Sequence, residues 1–247
     1  MKFLAIAASA AILSAAAMSS AAACELRTLY SSQMKEGAYA MDLNGVRTQQ
    51  NDEPGDYFNG GPFTQFLLEG ENTFTLTMTQ GSADVRVYRA CRGDFEGETL
   101  VEAKVVAPES KSLTFFVENA PAQVYDDAPS DDSGLKEALA ALRASVEAKD
   151  VDAYRDMHKG LIMTAMADGM PEDMLNRMIA ITIEQGEASF NDDVTFKPAM
   201  EGRVWQVLTD SGESPIVIDI KMNGGTNTMR TGAYWAKLDG EWTIVSN

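Results

Sequence analysis

Two repeats divide the chain. From Cys24 to about Val124, apolar and polar residues alternate. The clearest case is Thr73 to Thr79, where Phe74, Leu76 and Met78 fall on one side of an extended backbone and Thr73, Thr75, Thr77 and Thr79 on the other. A repeat of two is that of a half-buried strand. Similar runs at 25–31, 38–43, 63–68, 84–90, 99–106 and 112–118 are separated by turn chemistry: Asn44-Gly45, Asn59-Gly60-Gly61 and Glu69-Gly70-Glu71-Asn72. About seven short strands within roughly a hundred residues predict an all-β sandwich over 24–120.

Beyond residue 134 the repeat lengthens to that of a helix. Leu135, Ala138, Leu139, Leu142 and Val146 share one face, with Ser133 placed to cap the first turn. Asp150 is placed to cap a second helix over 151–167. Gly169-Met170-Pro171 ends it, and a third runs from Pro171, a favourable first position, to about Gln185. Strand-like segments follow at 194–197, 203–209, 215–222, 227–238 and 241–246, so 135–247 is expected to be an α+β domain. Between the halves, residues 121–134 lose periodicity and gain proline and aspartate, the composition of an acidic linker. Asp126, Asp127, Asp131 and Asp132 lack the alternate carboxylates, central glycine and distal glutamate of a calcium loop, so they are expected to be solvated.

The head of the chain changes the setting. Lys2, the apolar run Phe3 to Ala17, and small residues up to Ala23 form a secretory signal peptide over 1–23, too short to cross the roughly 30 Å hydrocarbon core. The mature chain then starts at Cys24 and works in the bacterial periplasm or outside the cell. Two cysteines, Cys24 and Cys91, in an oxidising compartment predict a disulfide. The alternative is an acylated Cys24 anchoring an envelope lipoprotein, although Ala21 stands where such proteins usually carry leucine. The formal charge of −17, spread along the chain, disfavours nucleic acid and anionic lipid as partners.

Two resemblances enter here. The passages Ala40-Met41-Asp42-Leu43-Asn44-Gly45, Gly60-Gly61-Pro62-Phe63 and Leu67 to Leu76 resemble jelly-roll sandwiches of the galactose-binding-like class, which implies a surface for a glycan or a partner. Leu139 to Tyr154, with its Lys149-Asp150 elbow, and the closing hairpin Thr231 to Ser246, with Asp239-Gly240 leading to Trp242-Thr243-Ile244-Val245, resemble the nuclear transport factor 2-like superfamily. That likeness implies a cystatin-like cone in which a curved sheet wraps around helices. Enzymes of that superfamily, among them isomerases, dehydratases and hydrolases, place an acid or base inside the cone.

The chain offers few groups for such chemistry. His158 is the sole histidine, it sits on the apolar face of its helix, and no Gly-x-Ser-x-Gly elbow accompanies it. No second histidine or cysteine falls at metal-ligand spacing, so neither a metal nor a cofactor is expected. The residues placed to line a cone cavity are Tyr154, His158, Asp219 and Tyr234, as ligand-binding groups with no catalytic set. Methionines 157, 163, 166, 170, 174 and 178 are read first as core packing, then as the lining of an adaptable pocket, and last as a Cu(I) site. These features predict an exported binding or interaction protein that holds a small apolar ligand in the cone. An isomerase- or hydrolase-type enzyme using the same cavity stands as the alternative.

Overall fold

A computed structural model describes residues 24–63, 65–94, 96–167, 169–222 and 225–246; the expected signal peptide lies outside the described residues. Strands β1 (Leu26–Leu43), β2 (Val46–Pro62), β3 (Gly70–Cys91), β4 (Glu98–Val106) and β5 (Glu109–Val117) form one antiparallel sheet in the order β2-β1-β3-β4, with β5 also on β3. Strand β3 is long enough to hold two partners in succession. Gly70 to Met78 face β5, and Ser82 to Arg89 face β4. Where the partner changes the strands bend, and β1 shifts register between Lys35 and Tyr39. Gly81, at φ +74°, makes the bend: a Cβ there would lie 2.2 Å from the Lys35 carbonyl oxygen and 2.4 Å from that of Glu36. Met34, Val85 and Val105 from one end of the bent sheet share a buried cluster with Met41, Leu43, Phe74, Leu76 and Phe115 from the other.

Five long strands thus stand where seven short ones were expected. Strand β2 was not among the expected runs, and Asn59-Gly60-Gly61, expected as a turn, is part of it, facing Ser32, Ser31 and Tyr30 of β1. The strand is bulged where Gly55 faces Gly37 and Asn51 faces Tyr39. Over 63–68, expected as a strand, the described residues 63 and 65–68 are outside any strand, and Phe63, Phe66 and Leu67 are buried in the same cluster.

The second region opens with α1 (Leu135–Ala148), α2 (Val151–Met157), α3 (Lys159–Ala167) and α4 (Glu172–Gln185). It continues with β6 (Glu187–Phe190), β7 (Val194–Ala199), β8 (Val204–Thr209), β9 (Ile216–Met222), β10 (Gly225–Thr231), β11 (Tyr234–Leu238) and β12 (Glu241–Ser246). These strands make two antiparallel sheets, β10-β9-β6 and β12-β11-β8-β7. Leu135, Leu139, Leu142 and Val146 of α1 are buried with Ile216, Ile218 and Ile220 of β9 and with Val207, Trp235 and Ile244 of the other sheet. Each such side chain removed from water contributes about 1.5–3 kcal/mol.

Three local expectations are corrected. Ser133 does not cap α1: Gly134 takes the N-cap in the left-handed region without a side-chain bond, and the Ser133 hydroxyl is engaged with Asp131 and Lys237. The single helix over 151–167 is broken at His158. Asp150 does cap its first part, Oδ1 accepting the Ala153 N–H at 3.0 Å. The break is held against β12: the Gly160 N–H donates to Thr243 Oγ1 at 2.9 Å, and that hydroxyl donates to the Met157 carbonyl at 3.0 Å. A Cβ at Gly160 would meet Val245 Cγ1 at 2.9 Å, so only glycine allows this approach. The strand over 227–238 is two strands, β10 and β11.

Strand β11 joins the two regions. Tyr234 and Ala236 lie in the buried cluster of the N-terminal sheet, and Trp235, pointing the other way, lies in the cluster around α1. Gln206 of β8 clamps the Asn44-Gly45 hairpin, accepting the Arg47 N–H at 2.8 Å through Oε1 and donating from Nε2 to the Gly45 carbonyl. The Tyr234 hydroxyl donates to the Arg47 carbonyl. Residues 121–134 are largely exposed, with Asp126, Asp127, Asp131 and Asp132 facing solvent as expected, yet the segment is anchored at two points. Tyr125 is buried against Phe66 and accepts the Phe66 N–H at 2.8 Å, while Trp242 Nε1 donates to the Ser133 carbonyl at 2.8 Å. One apolar cluster therefore runs across both regions, without a gap at the acidic segment.

Cys24 and Cys91 form a disulfide with their Cα atoms 5.4 Å apart, at the end of the sheet where Leu26 faces Cys91. Its formation accords with an extracytoplasmic setting. Among the described residues, no helix is long and apolar enough to cross a membrane.

Candidate functional site

Tyr154 and His158 share a helical face by their spacing of four, and the structure stacks their rings with centroids 3.9 Å apart. His158 is 2 % exposed. Its Nδ1 lies 2.8 Å from the Tyr154 carbonyl oxygen, which can only accept, so Nδ1 carries the proton. Nε2, 2.7 Å from Thr231 Oγ1, is then the acceptor, and the threonine hydroxyl donates to it. Burial drives the His158 pKa down to about 4, against the opposing effect of the bond to the Tyr154 carbonyl. Burial likewise pushes the Tyr154 phenol up to about 12. Thr231 lies near enough to favour the ionised phenol slightly, yet the contact falls short of a hydrogen bond, and the Tyr154 hydroxyl is buried without a partner among the described residues.

At neutral pH this node is an uncharged imidazole with both nitrogens occupied, walled in by the side chains around α1. Nothing in that arrangement presents a base to a substrate. It does couple folding to pH. Above pH 6.5 the imidazole is neutral folded or unfolded; below it the unfolded chain binds a proton that the folded chain resists. Stability should therefore fall as pH drops from about 6.5 to about 4, by up to about 3 kcal/mol, and level off below. Urea unfolding of the parent and His158→Gln proteins between pH 7 and pH 4 tests this: the parent should lose the extra increment, and parallel profiles would show that His158 does not supply it.

The other two expected site residues lie elsewhere. Asp219 is on the face of β9 opposite Ile218 and Ile220, accepting from Thr228 Oγ1 at 2.6 Å. Tyr234 lies on the face of β11 turned toward the N-terminal sheet, and burial raises its phenol pKa. Tyr154 and His158 are thus brought together, while Asp219 and Tyr234 do not converge with them on one cavity. Thr231, the partner of His158, carries no sequence mark beyond its place in an alternating run.

Of the six methionines read first as core packing, Met157 does pack against the cluster around α1, and the other five do not. Met163, Met166, Met170, Met174 and Met178, with Ile181, are 36–49 % exposed, and they account for six of the ten large apolar side chains that the described residues expose. The α3–α4 pair buries little of itself: Gly160 in α3, and Thr182 and Ile183 in α4. Sequence periodicity could not reveal this, because α3 is apolar on nearly every side and so marks no buried face. Around the methionines the chain is acidic, with eight carboxylates against three basic side chains from Asp150 to Glu187.

Comparisons with protein families, with characterised proteins and with solved structures return no match.

Proposed function

We propose that this chain is an exported, noncatalytic interaction protein of the bacterial envelope, and that the α3–α4 pair is its docking surface. The observation that carries the reading is the run of exposed methionines. Large apolar side chains clustered on a surface mark interaction sites, and unbranched thioethers adapt to varied partners. Charge selects the occupant. A second copy would bring the same acidic border, and an anionic lipid surface would be repelled. A protein segment with an apolar stripe flanked by lysine or arginine satisfies both the methionines and the carboxylates of Asp156, Glu172, Asp173 and Glu184.

The helices-then-strands order after residue 134 supports the nuclear transport factor 2-like reading. The disulfide, together with the leader-like head, supports export. Anchoring through Cys24 would need the sulfur that the bond to Cys91 occupies.

An amphipathic peptide of leucine and lysine, and its leucine and glutamate counterpart, test the proposal by titration calorimetry. The basic peptide should bind and the acidic one should not. A variant carrying Met163→Ser, Met174→Ser and Met178→Ser should bind the basic peptide at least tenfold more weakly while keeping its melting temperature. Equal affinity of parent and variant would remove the hairpin from the function.

A further inference from the structure

A second feature, independent of the helices, lies where the two regions meet. A cleft of about 620 Å³ opens between β2 on one side and β8, β10 and β11 on the other. Clefts of this size at the junction of two structural regions are the usual places for small ligands. Its floor is aromatic: Tyr30 stacks on Phe63 with centroids 5.0 Å apart, and Phe66 lies 5.8 Å from Tyr234.

Two observations give the cleft a chemistry. In a chain with 37 acidic and 20 basic side chains, no aspartate or glutamate among the described residues lines it, Asp42 and Asp219 being held by Arg47 and Thr228 at its edge. Several groups at its wall are also unspent: the side chains of Tyr30, Gln65, Asn227 and Arg230 make no hydrogen bond or ion pair with the described residues. Arg47, the other guanidinium there, is held by Asp42 at 2.6 Å, which leaves Arg230 as the cation available to a ligand. A guanidinium with free N–H groups takes a carboxylate through two parallel bonds, and an aromatic floor takes the flat face of a ring. Gln65 and Asn227 can each donate and accept, as a hydroxyl or a second carboxylate oxygen requires.

We infer that this cleft binds a small ring-bearing carboxylate, with Arg230 gripping the carboxylate and the partly exposed ring of Tyr30, backed by buried Phe63, receiving the ring. A sugar acid and an aromatic acid both present that chemistry.

Titration calorimetry of the full mature chain with sodium glucuronate and sodium benzoate distinguishes the two sources, with glucose and benzyl alcohol as uncharged counterparts. At least one carboxylate should bind, at least tenfold more tightly than its counterpart. Arg230→Gln should weaken it at least tenfold, Arg230→Lys should weaken it less, and Lys197→Gln, which removes a charge outside the cleft, should leave it unchanged. Since the Arg230 side chain is exposed, the variants should melt with the parent. The inference is overturned if neither acid binds at millimolar concentration, if the uncharged compounds bind as well, or if Arg230→Gln has no more effect than Lys197→Gln.

Discussion

Trp235→Ala should lower the free energy of unfolding by about 3–5 kcal/mol, a large share of the 5–15 kcal/mol that holds an ordinary protein folded. Trp235 is fully buried, and its Nε1 donates to the Gly232 carbonyl at 2.6 Å. Truncation leaves a cavity in the cluster around α1 and strips a buried acceptor of its donor. The loss should not stay in that cluster. Tyr234 and Ala236, its neighbours along β11, are buried with Met41, Leu43 and Phe74 of the N-terminal sheet. Urea unfolding followed by far-ultraviolet circular dichroism and by tryptophan fluorescence should give one coincident transition in the parent and a single, earlier one in the variant. A variant that keeps a separate late transition for the N-terminal sheet would show that the two regions hold themselves independently.

Removing the disulfide should have an effect of similar size. Cys24 and Cys91 are 67 residues apart in sequence, and closing a loop of that length restricts the unfolded chain by about 4 kcal/mol in the chain-entropy account. The bond joins the residue two before β1 to the last of β3, and these two strands are the central pair of the sheet. The double variant Cys24→Ser with Cys91→Ser, compared with the parent without reductant, should unfold at a clearly lower urea midpoint with little change in slope. The parent treated with reductant should fall toward the variant. Equal midpoints would mean that the sheet holds its ends together without the bond.

Much of the secondary structure was legible locally. The alternation of Phe74, Leu76 and Met78 matches the buried face of β3, and Leu135, Leu139, Leu142 and Val146 match the buried face of α1. Asn44-Gly45, with φ +50° and +81°, is the turn its residues announce. Asp150 caps its helix, and the cysteine pair is bonded as the count suggested. Each of these depends on a few neighbouring residues or on composition alone.

What failed depended on residues far apart in sequence. Asn59-Gly60-Gly61 read as a turn, but β1, reaching it from residues 30 to 32, draws it into a strand. Tyr125 lies in a stretch with linker composition, yet a single aromatic ring finding Phe66 is enough to pin it. The exposure of the methionines followed from how little of α3 and α4 the sheet covers, which no helical repeat encodes. The same holds for the candidate sites. His158 became a buried, neutral group through Thr231, 73 residues further on, and the cleft, without aspartate or glutamate among its described lining, lies between β2 and the strands β8, β10 and β11. By itself the sequence determined the repeats, the Asn44-Gly45 turn, the Asp150 cap, the charge and the available bond chemistry, because those are set within a turn of helix or a pair of strands. Which apolar faces are covered, which polar groups are spent on each other and which remain free for a partner were decided only by the tertiary structure, since each is a property of surfaces brought together by distant parts of the chain.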